Sequence, residues 1–308
     1  MKNIARGVYP TMITPYTEDN RIDYQAVERL LQWYAERNAD GVFAICQSSE
    51  IFFLSFDERI SLLKFILDHR PKGLTVIASG HTADDREEQI EQAKRFIDTG
   101  VDAYVFIANR FAAQEESSEV FLERMLRAAG ALDESVPLGI YECPYPYKRL
   151  MGLEELRVLS QTGRFCFLKD TCCDAQQIRE RLEVLRGSGF QLFNANAATL
   201  LETLRAGCAG YSGVMGNFHP ELYAWLCKNF DTDPAGAERM QAFLGFASLA
   251  ECQMYPVNAK YYLSLEGLGV RTHCRCADAR LFAPSRRLEI EQMHALTQWF
   301  KRAFPAAL

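Results

Sequence analysis

The stretch RFCFLKD, residues 164–170, is an apolar segment that ends on a lysine and an aspartate. Its apolar residues are continuous, without polar alternation, and this pattern is typical of a parallel strand buried on both faces. Lys169 therefore ends a buried strand with an amine. Because burying an unpaired ammonium group costs on the order of several kcal/mol, we interpret Lys169 as either a strand end that reaches solvent or a neutral nucleophile.

Similar apolar segments recur along the chain, separated by segments with helical periodicity. The predicted strands are residues 7–14, 41–46, 74–79, 102–107, 136–141, 165–169, 190–194 and 209–213. Eight strand–helix units in about 215 residues favour an α/β fold of the (β/α)8 TIM barrel type over an open doubly wound sheet. We therefore predict a barrel domain over residues 1–218 and a C-terminal helical extension, packed on the barrel, over residues 219–308.

Two capping boxes predict where helices begin. They are Ser55-Phe56-Asp57-Glu58 and Thr82-Ala83-Asp84-Asp85, the second with Asp in place of Glu. In such a box the first side chain accepts a hydrogen bond from the backbone N–H three residues later. We expect helices to start directly after Ser55 and Thr82.

Composition and charge exclude several classes of protein. The 308 residues carry a net charge of -6, and the basic residues are not clustered, so we expect no nucleic-acid partner. The sequence lacks both the apolar region of a signal peptide and a run of about 18 apolar residues, which predicts a cytoplasmic protein with no membrane partner. The 10 cysteines are accordingly interpreted as reduced thiols. No second pair of ligands lies at metal-binding distance in sequence from His273-Cys274-Arg275-Cys276, so we predict no metal site there.

Polar residues follow almost every predicted strand, at the end where barrel enzymes carry their chemistry. Tyr141 and Lys169 end the fifth and sixth strands, which should be neighbours. A desolvated Lys169 has a lowered pKa and can attack a carbonyl to form a Schiff base, with Tyr141 moving protons. Ser48 and Ser49 offer hydroxyl and N–H groups to an adjacent carboxylate. However, strand-end lysines are commonly solvated, and strand-end tyrosines commonly pack as amphipathic plugs.

Several short motifs in order resemble one known family. These are Thr14-Pro15-Tyr16, Cys46-Gln47-Ser48-Ser49-Glu50, Tyr141-Glu142-Cys143-Pro144, Leu168-Lys169-Asp170, the segment from Gly210 through Ser212 to Pro220, and the segment from Pro256 to Lys260. Together they resemble the dihydrodipicolinate synthase and N-acetylneuraminate lyase superfamily of Schiff-base barrel enzymes. By this resemblance, Lys169 condenses with pyruvate or a related 2-keto acid and Tyr141 relays protons. The substrate-binding positions implied are Thr14, Gln47, Ser48, Ser49, Phe111, Arg149 and Ser212.

The resemblance also implies that the enzyme needs no metal or organic cofactor and works as a homotetramer or homodimer. The sequence departs from the family pattern at the proton relay, since Gln47 replaces a hydroxyl residue and Phe111 replaces a second tyrosine. The position of the synthase's aldehyde-binding arginine is Pro146, and Arg149 takes that role only if residues 145–147 are an insertion.

These features lead to one main hypothesis and several alternatives. We expect a lyase of the class I aldolase type that acts on a 2-keto acid and an aldehyde of unknown identity. Within the same chemistry, a sugar-acid hydro-lyase or dihydrodipicolinate synthase itself remains open. A barrel that binds a keto acid without turnover is the alternative from a different class.

Overall fold

In the computed structural model, residues 4–304 are described, and within them eight parallel strands alternate with helices. In chain order, β1–β8 are Gly7–Val8, Gly41–Phe43, Thr75–Ala78, Ala103–Ile107, Leu138–Tyr141, Phe165–Asp170, Gln191–Asn194 and Gly210–Tyr211. Each strand from β2 to β7 pairs with the next along the chain, and β8 pairs with β1. A parallel bridge from Thr11 to Phe43 joins the two ends of the sheet. The predicted (β/α)8 barrel is therefore confirmed.

The first strand is shorter than predicted. Regular pairing of β1 with β8 covers only Gly7 and Val8, although residues 7–14 were expected to be extended. The strand is followed by Pro10, which has no N–H to donate to a strand ladder. From this residue onward the backbone forms its hydrogen bonds with β2 instead of β8. The N–H of Phe43 donates to the Pro10 carbonyl at 2.9 Å, and the N–H of Met12 donates to the Phe43 carbonyl at 3.0 Å.

The helices lie between the strands and continue after β8. In chain order, α1–α11 are Tyr24–Glu36, Phe56–His69, Arg86–Ile97, Ser118–Gly130, Leu153–Gln161, Ala175–Leu185, Leu200–Arg205, Pro220–Asn229, Pro234–Ala247, Val257–Leu265 and Pro284–Ala303. Short 3₁₀ helices cover Gln47–Ser49, Ile51–Phe53, Ala108–Arg110, Val214–Asn217, Ser248–Cys252 and Ala279–Leu281. The sequence pattern placed α8 in the extension, but α8 packs against β1 and β8 and completes the eighth strand–helix unit.

Side-chain caps explain where two of these helices begin. The predicted box at Ser55 is present: its side chain accepts from the N–H of Glu58, and the Glu58 carboxylate accepts from the N–H of Ser55 at 2.9 Å. The second predicted box was wrong, because α3 is capped by Asp85 and starts at Arg86. The Asp85 carboxylate accepts from the N–H of Glu88 at 2.9 Å, so a carboxylate two residues beyond the predicted start replaces the box.

Aromatic rings fill the barrel interior beneath the C-terminal ends of the strands. Phe167 of β6 packs against Phe193 of β7 with ring centroids 4.8 Å apart, and against Tyr9 at 6.0 Å. Phe43 of β2 lies 6.1 Å from Phe167 and 5.5 Å from Tyr141. This aromatic layer excludes water from the barrel interior, and the side chains at the strand ends pack directly on it.

The C-terminal extension shares a hydrophobic core with the barrel. Buried side chains from both parts form one cluster, which includes Val8, Leu201, Tyr211, Leu222, Met240 and Tyr262. Such a core joins the helices after β8 to the barrel wall. Among residues 4–304, no helix is both long and apolar enough to cross a membrane.

Candidate active site

Lys169 stands at the mouth of the barrel with a buried amine. Its register partner across β5 and β6 is Tyr141, and its Nζ lies 4.1 Å from the centroid of the Tyr141 ring. Only 4% of the residue is exposed. Within residues 4–304 no hydrogen bond or ion pair holds this amine, and burial lowers the pKa of Lys169, opposed by the nearby thiol of Cys46. The cation–π contact with Tyr141 stabilises the charged amine less than an ion pair would. The amine can therefore lose its proton, and its lone pair is then available to react.

The neighbouring carboxylate of Asp170 faces the other side of the sheet. Arg181 of α6 forms ion pairs with Asp170 and with Glu142, the latter at 3.0 Å, and all three side chains are buried. Strand alternation requires this orientation, because successive residues point to opposite faces. Burial raises the pKa of Glu142 to about 7, opposed by the positive charge of Arg181. The cluster ties the ends of β5 and β6 together without neutralising Lys169.

One signal of this cluster is present in the sequence, and our interpretation missed it. Arg181 lies on the same face of α6 as Ile178 and Leu185, both of which are buried. An arginine in an apolar helix stripe predicts a buried acidic partner, because an unpaired buried charge is strongly unfavourable.

Tyr141 donates its phenol proton towards Gln47. The Tyr141 hydroxyl lies 3.4 Å from Oε1 of Gln47, and the thiol of Cys143 donates to the same oxygen at 3.4 Å. Burial raises the pKa of Tyr141, so the phenol keeps its proton and can act as an acid. Since an amide oxygen accepts but has no proton to pass on, Gln47 orients the phenol rather than continuing a chain of hydroxyl groups.

The loop after β2 turns the Ser48 side chain into the cavity and the Ser49 side chain away from it. Oγ of Ser49 lies 2.6 Å from the carbonyl oxygen of Met12 and accepts from the N–H of Cys46 at 3.1 Å. Thr14 donates to the Ser49 carbonyl at 2.8 Å. Both side chains therefore hold the loop in place, and Ser48 supplies the hydroxyl that faces the cavity.

A cavity of about 590 Å³ opens above Lys169. Four of the nine predicted site residues line it, namely Gln47, Ser48, Tyr141 and Lys169. Thr14, Ser49 and Ser212 lie behind the cavity wall, where Ser212 donates to the Tyr9 carbonyl at 2.9 Å. The polar lining residues outside the nine predicted site residues are Glu50, Tyr145, Lys148, Thr171, Cys173, Asn196, Glu251, Cys252, Tyr255 and Cys276.

Two predicted substrate-binding residues lie outside this cavity. Arg149 forms an ion pair of 2.9 Å with Glu155, and its guanidinium group stacks 4.7 Å from the centroid of the Phe121 ring. Phe111 packs 5.1 Å from Phe106 and lines a separate cavity of about 260 Å³ between α3 and α4. Neither side chain lines the cavity above Lys169.

The C-terminal extension supplies one wall of the Lys169 cavity. Glu251 and Cys252 come from the 3₁₀ helix Ser248–Cys252, and Tyr255 follows it. The Tyr255 hydroxyl interacts with the side chain of Ser48 and accepts from Nδ2 of Asn217 at 3.1 Å, which connects the extension to the loop after β2. No local pattern marks these residues, because the tail meets the barrel mouth only after folding.

Residues 4–304 contain no group of three or more His, Cys, Asp or Glu side chains placed to hold a metal ion. All 10 cysteines fall within these residues and are free thiols. At His273, the carbonyl oxygen accepts from Lys260 at 2.7 Å and the ring nitrogen Nε2 lies 3.0 Å from Oδ1 of Asn20.

This arrangement places a buried amine, a phenol and a serine hydroxyl around one cavity. A sequence model described as the dihydrodipicolinate synthetase family matches residues 4–284. The chain belongs to that family. The resemblance drawn from the sequence motifs is thereby confirmed, and, as members of the family are lyases of the aldolase type, this chain is an enzyme of that class.

Individual relatives in the family are distant. The 4-hydroxy-tetrahydrodipicolinate synthase of Saccharophagus degradans is 25% identical over 225 residues, which are 73% of this chain and 75% of that protein. The structure of the corresponding synthase from Methylacidiphilum fumariolicum has a TM-score of 0.86 at 21% identity, covering 98% of this chain and 99% of that one. YagE from E. coli, a family member solved with pyruvate, has a TM-score of 0.83 at 21% identity, covering 96% and 98%.

Proposed function

We propose that the enzyme forms a Schiff base between Lys169 and pyruvate or a related 2-keto acid, and makes or breaks a carbon–carbon bond next to it. The observation that carries this proposal is the buried amine of Lys169, which forms no ion pair within residues 4–304 and stands beside a protonated phenol at the base of an open cavity. A neutral amine in such a place is a nucleophile for carbonyl carbon. The family member solved with pyruvate supports the choice of keto acid.

Each bond change is assigned to a group of the cavity. The Lys169 nitrogen attacks the keto carbon, and Tyr141 protonates the carbonyl oxygen. The Tyr141 phenolate takes a proton back from the nitrogen and gives it to the hydroxyl, which leaves as water and gives an iminium ion. The phenolate then takes a proton from the adjacent carbon, which produces an enamine. That carbon then attacks the aldehyde carbonyl, whose oxygen takes up a proton, and water releases the product from Lys169. Cleavage follows the same steps in reverse.

Ser48 is assigned to the carboxylate of the keto acid. Its hydroxyl faces the cavity, and the 3₁₀ helix Gln47–Ser49 brings it to the same mouth as Lys169. A hydroxyl donating to a carboxylate forms a charge-assisted hydrogen bond, which is stronger than a neutral one. This contact orients the keto carbon towards the amine.

Activity as dihydrodipicolinate synthase is less well supported than the general aldolase chemistry. Arg149 is paired with Glu155 outside the cavity, and Pro146 occupies the position of the family's aldehyde-binding arginine. Gln47 also replaces the hydroxyl of the synthase's proton relay. We therefore assign the keto acid and the Schiff base, and treat the synthase reaction and a hydro-lyase reaction as variants of the same chemistry.

We further propose that the enzyme acts in the cytoplasm as a homotetramer or homodimer, in keeping with the family resemblance, and that it needs no cofactor. Light scattering on the purified protein measures the assembly directly. A mass corresponding to one chain at micromolar concentration would contradict the assembly without bearing on the Schiff base.

The proposed function is tested by trapping the imine. The protein is incubated with pyruvate and borohydride, and the intact mass and the modified peptide are determined. One reduced adduct per chain at Lys169 is expected, and Lys169→Ala should abolish it. Lys94→Ala is the matched control, since Lys94 is exposed on α3 and pairs with Glu91. An unmodified wild-type chain, or an adduct at another lysine, would refute the proposal.

A further inference from the structure

The Lys169 cavity contains a carboxylate that the reaction above does not use. Glu251 lines the wall contributed by the extension, half-buried, and interacts electrostatically with Lys169. Among the described residues it forms no ion pair within 4.0 Å. Burial raises the pKa of Glu251, and the positive charge of Lys169 opposes that rise.

The position of Glu251 is fixed by its surroundings. The 3₁₀ helix that carries it ends against α10, where the buried Nδ2 of Asn258 donates to the Ala250 carbonyl at 2.6 Å. The N–H of Gln253 donates to the same carbonyl at 3.0 Å. Because the turn is held from both sides, the carboxylate faces the cavity from a rigid element rather than from a loose loop.

The other charged side chains of the cavity are already committed. Glu50 is fully buried and pairs with Lys260 at 2.8 Å, and Lys169 is consumed by the imine. Lys148, which is exposed at the rim, donates to the Thr171 carbonyl at 2.9 Å. Once the keto acid is bound, Glu251 is therefore the carboxylate that an incoming second substrate meets inside the cavity.

We propose that Glu251 selects the aldehyde: it admits a neutral, hydroxylated chain and rejects one that carries a terminal phosphate or a second carboxylate. This inference rests on the proposed function, since it concerns the partner of the enamine at Lys169. A carboxylate only accepts hydrogen bonds, so hydroxyl groups satisfy it. A second anion beside it in a partly desolvated cavity is repelled, and like charges in contact are strongly unfavourable.

The experiment uses extended 2-keto acids, whose chain occupies the aldehyde's place while the keto group forms the imine. Wild-type protein is trapped with cyanoborohydride and increasing amounts of 2-oxohexanoate, 2-oxoadipate or 2-keto-3-deoxygluconate, and the half-saturating concentration is read by intact mass. We expect 2-oxoadipate to require a concentration about tenfold or more above that of 2-oxohexanoate. The hydroxylated 2-keto-3-deoxygluconate should have the lowest half-saturating concentration of the three.

The variant Glu251→Gln keeps the shape of the side chain and removes its charge. It should bring the half-saturating concentrations of 2-oxoadipate and 2-oxohexanoate to within about threefold of each other, because only the charge repulsion is lost. Pyruvate, which is too short to reach the wall, should still be trapped at Lys169 in this variant, and that adduct reports an intact site. Glu180→Gln, an exposed change on α6, is the matched control and should keep the wild-type ratio.

Three outcomes would overturn the inference. The first is a wild-type protein that binds 2-oxoadipate as tightly as 2-oxohexanoate. The second is a ratio of the half-saturating concentrations of 2-oxoadipate and 2-oxohexanoate that is the same in Glu251→Gln as in the wild type. The third is a preference for 2-oxoadipate that Lys148→Gln removes, which would make Lys148 an anion receptor. If pyruvate itself gives no adduct at Lys169, the proposed function fails and this inference fails with it, whereas a pyruvate adduct with an unchanged ratio refutes this inference alone.

Discussion

Nζ of Lys260 lies 2.8 Å from Oε1 of Glu50, and both side chains are completely buried. The other Glu50 oxygen accepts from the N–H groups of Arg275 and Cys276 at 2.6 and 2.8 Å. Lys169 is similarly buried but has no such acceptor among residues 4–304. These two buried lysines therefore differ in their chemistry: Lys260 anchors the extension to the loop after β2, and Lys169 is available to react.

Removing one partner of the Lys260–Glu50 pair should be strongly destabilising. Lys260→Met leaves the Glu50 carboxylate buried with backbone donors but no counter-charge, so we expect a loss of about 3–5 kcal/mol in unfolding free energy. The control is Arg205→Met, which breaks an exposed ion pair with Glu238 and should cost less than about 1 kcal/mol. Urea denaturation followed by circular dichroism measures both. Equal effects of the two substitutions would contradict the structural role of the buried pair.

The buried amine of Lys169 should lower stability in a pH-dependent way. Its pKa is lowered in the folded protein, so the unfolded chain binds more protons between the lowered pKa and about 10.5. The unfolding free energy contributed by this residue therefore rises with pH across that window. Lys169→Met should stabilise the protein, by more at pH 7 than at pH 10.

Urea midpoints at the two pH values test this expectation, with Lys94→Met as the exposed control. Destabilisation by Lys169→Met at pH 7 would indicate that the amine makes favourable contacts that outweigh its desolvation.

Loss of the Tyr141 hydroxyl should slow imine formation, but the imine should still form at Lys169. Tyr141→Phe keeps the ring under Nζ of Lys169 and removes the acid, so trapping with pyruvate should be slower by about 10²-fold. Peptide mapping should still find the adduct at Lys169. Tyr145→Phe, at the exposed rim of the same cavity, is the control and should leave the rate unchanged. A wild-type rate in Tyr141→Phe would remove this residue from the mechanism.

Acid should destabilise the protein through His219. Burial lowers the pKa of His219 to about 3, and within the described residues neither ring nitrogen has a hydrogen-bond partner. The unfolded chain takes up this proton below about pH 6.5 while the folded chain does not, so stability falls as pH drops from 6.5 towards 3. At pH 5 the expected penalty is about 2 kcal/mol.

His219→Phe tests this assignment, since its ring stacks on Tyr223 with centroids 5.7 Å apart and the substituted ring keeps that contact. The variant's advantage over wild type in urea midpoint should grow between pH 7 and pH 5. A pH-independent difference would mean that packing, rather than protonation, separates the two proteins.

Contiguous residues were sufficient to predict the barrel and the two central groups of the site. The continuous apolar run before Lys169 predicted β6, and the matching run before Tyr141 predicted β5 beside it. The Ser55 box predicted the start of α2 because both of its hydrogen bonds join residues three apart. These features depend on backbone sterics, side-chain alternation and local capping, all of which a short stretch of sequence encodes.

The remaining site residues depended on contacts between distant parts of the chain. Lys260 meets Glu50 across 210 positions, and Glu251 reaches the Lys169 cavity from a helix that follows the barrel. Arg149 was predicted to bind substrate, but its side chain pairs with Glu155, because the conformation of its loop places it there.

The sequence by itself therefore determined which residues form strands and helices and which strand ends carry the amine and the phenol. Only the tertiary structure decided which charges are neutralised and which face the cavity. The physical reason is that burial and pairing set the chemistry of an ionisable group, and both depend on side chains that packing brings together from far along the chain.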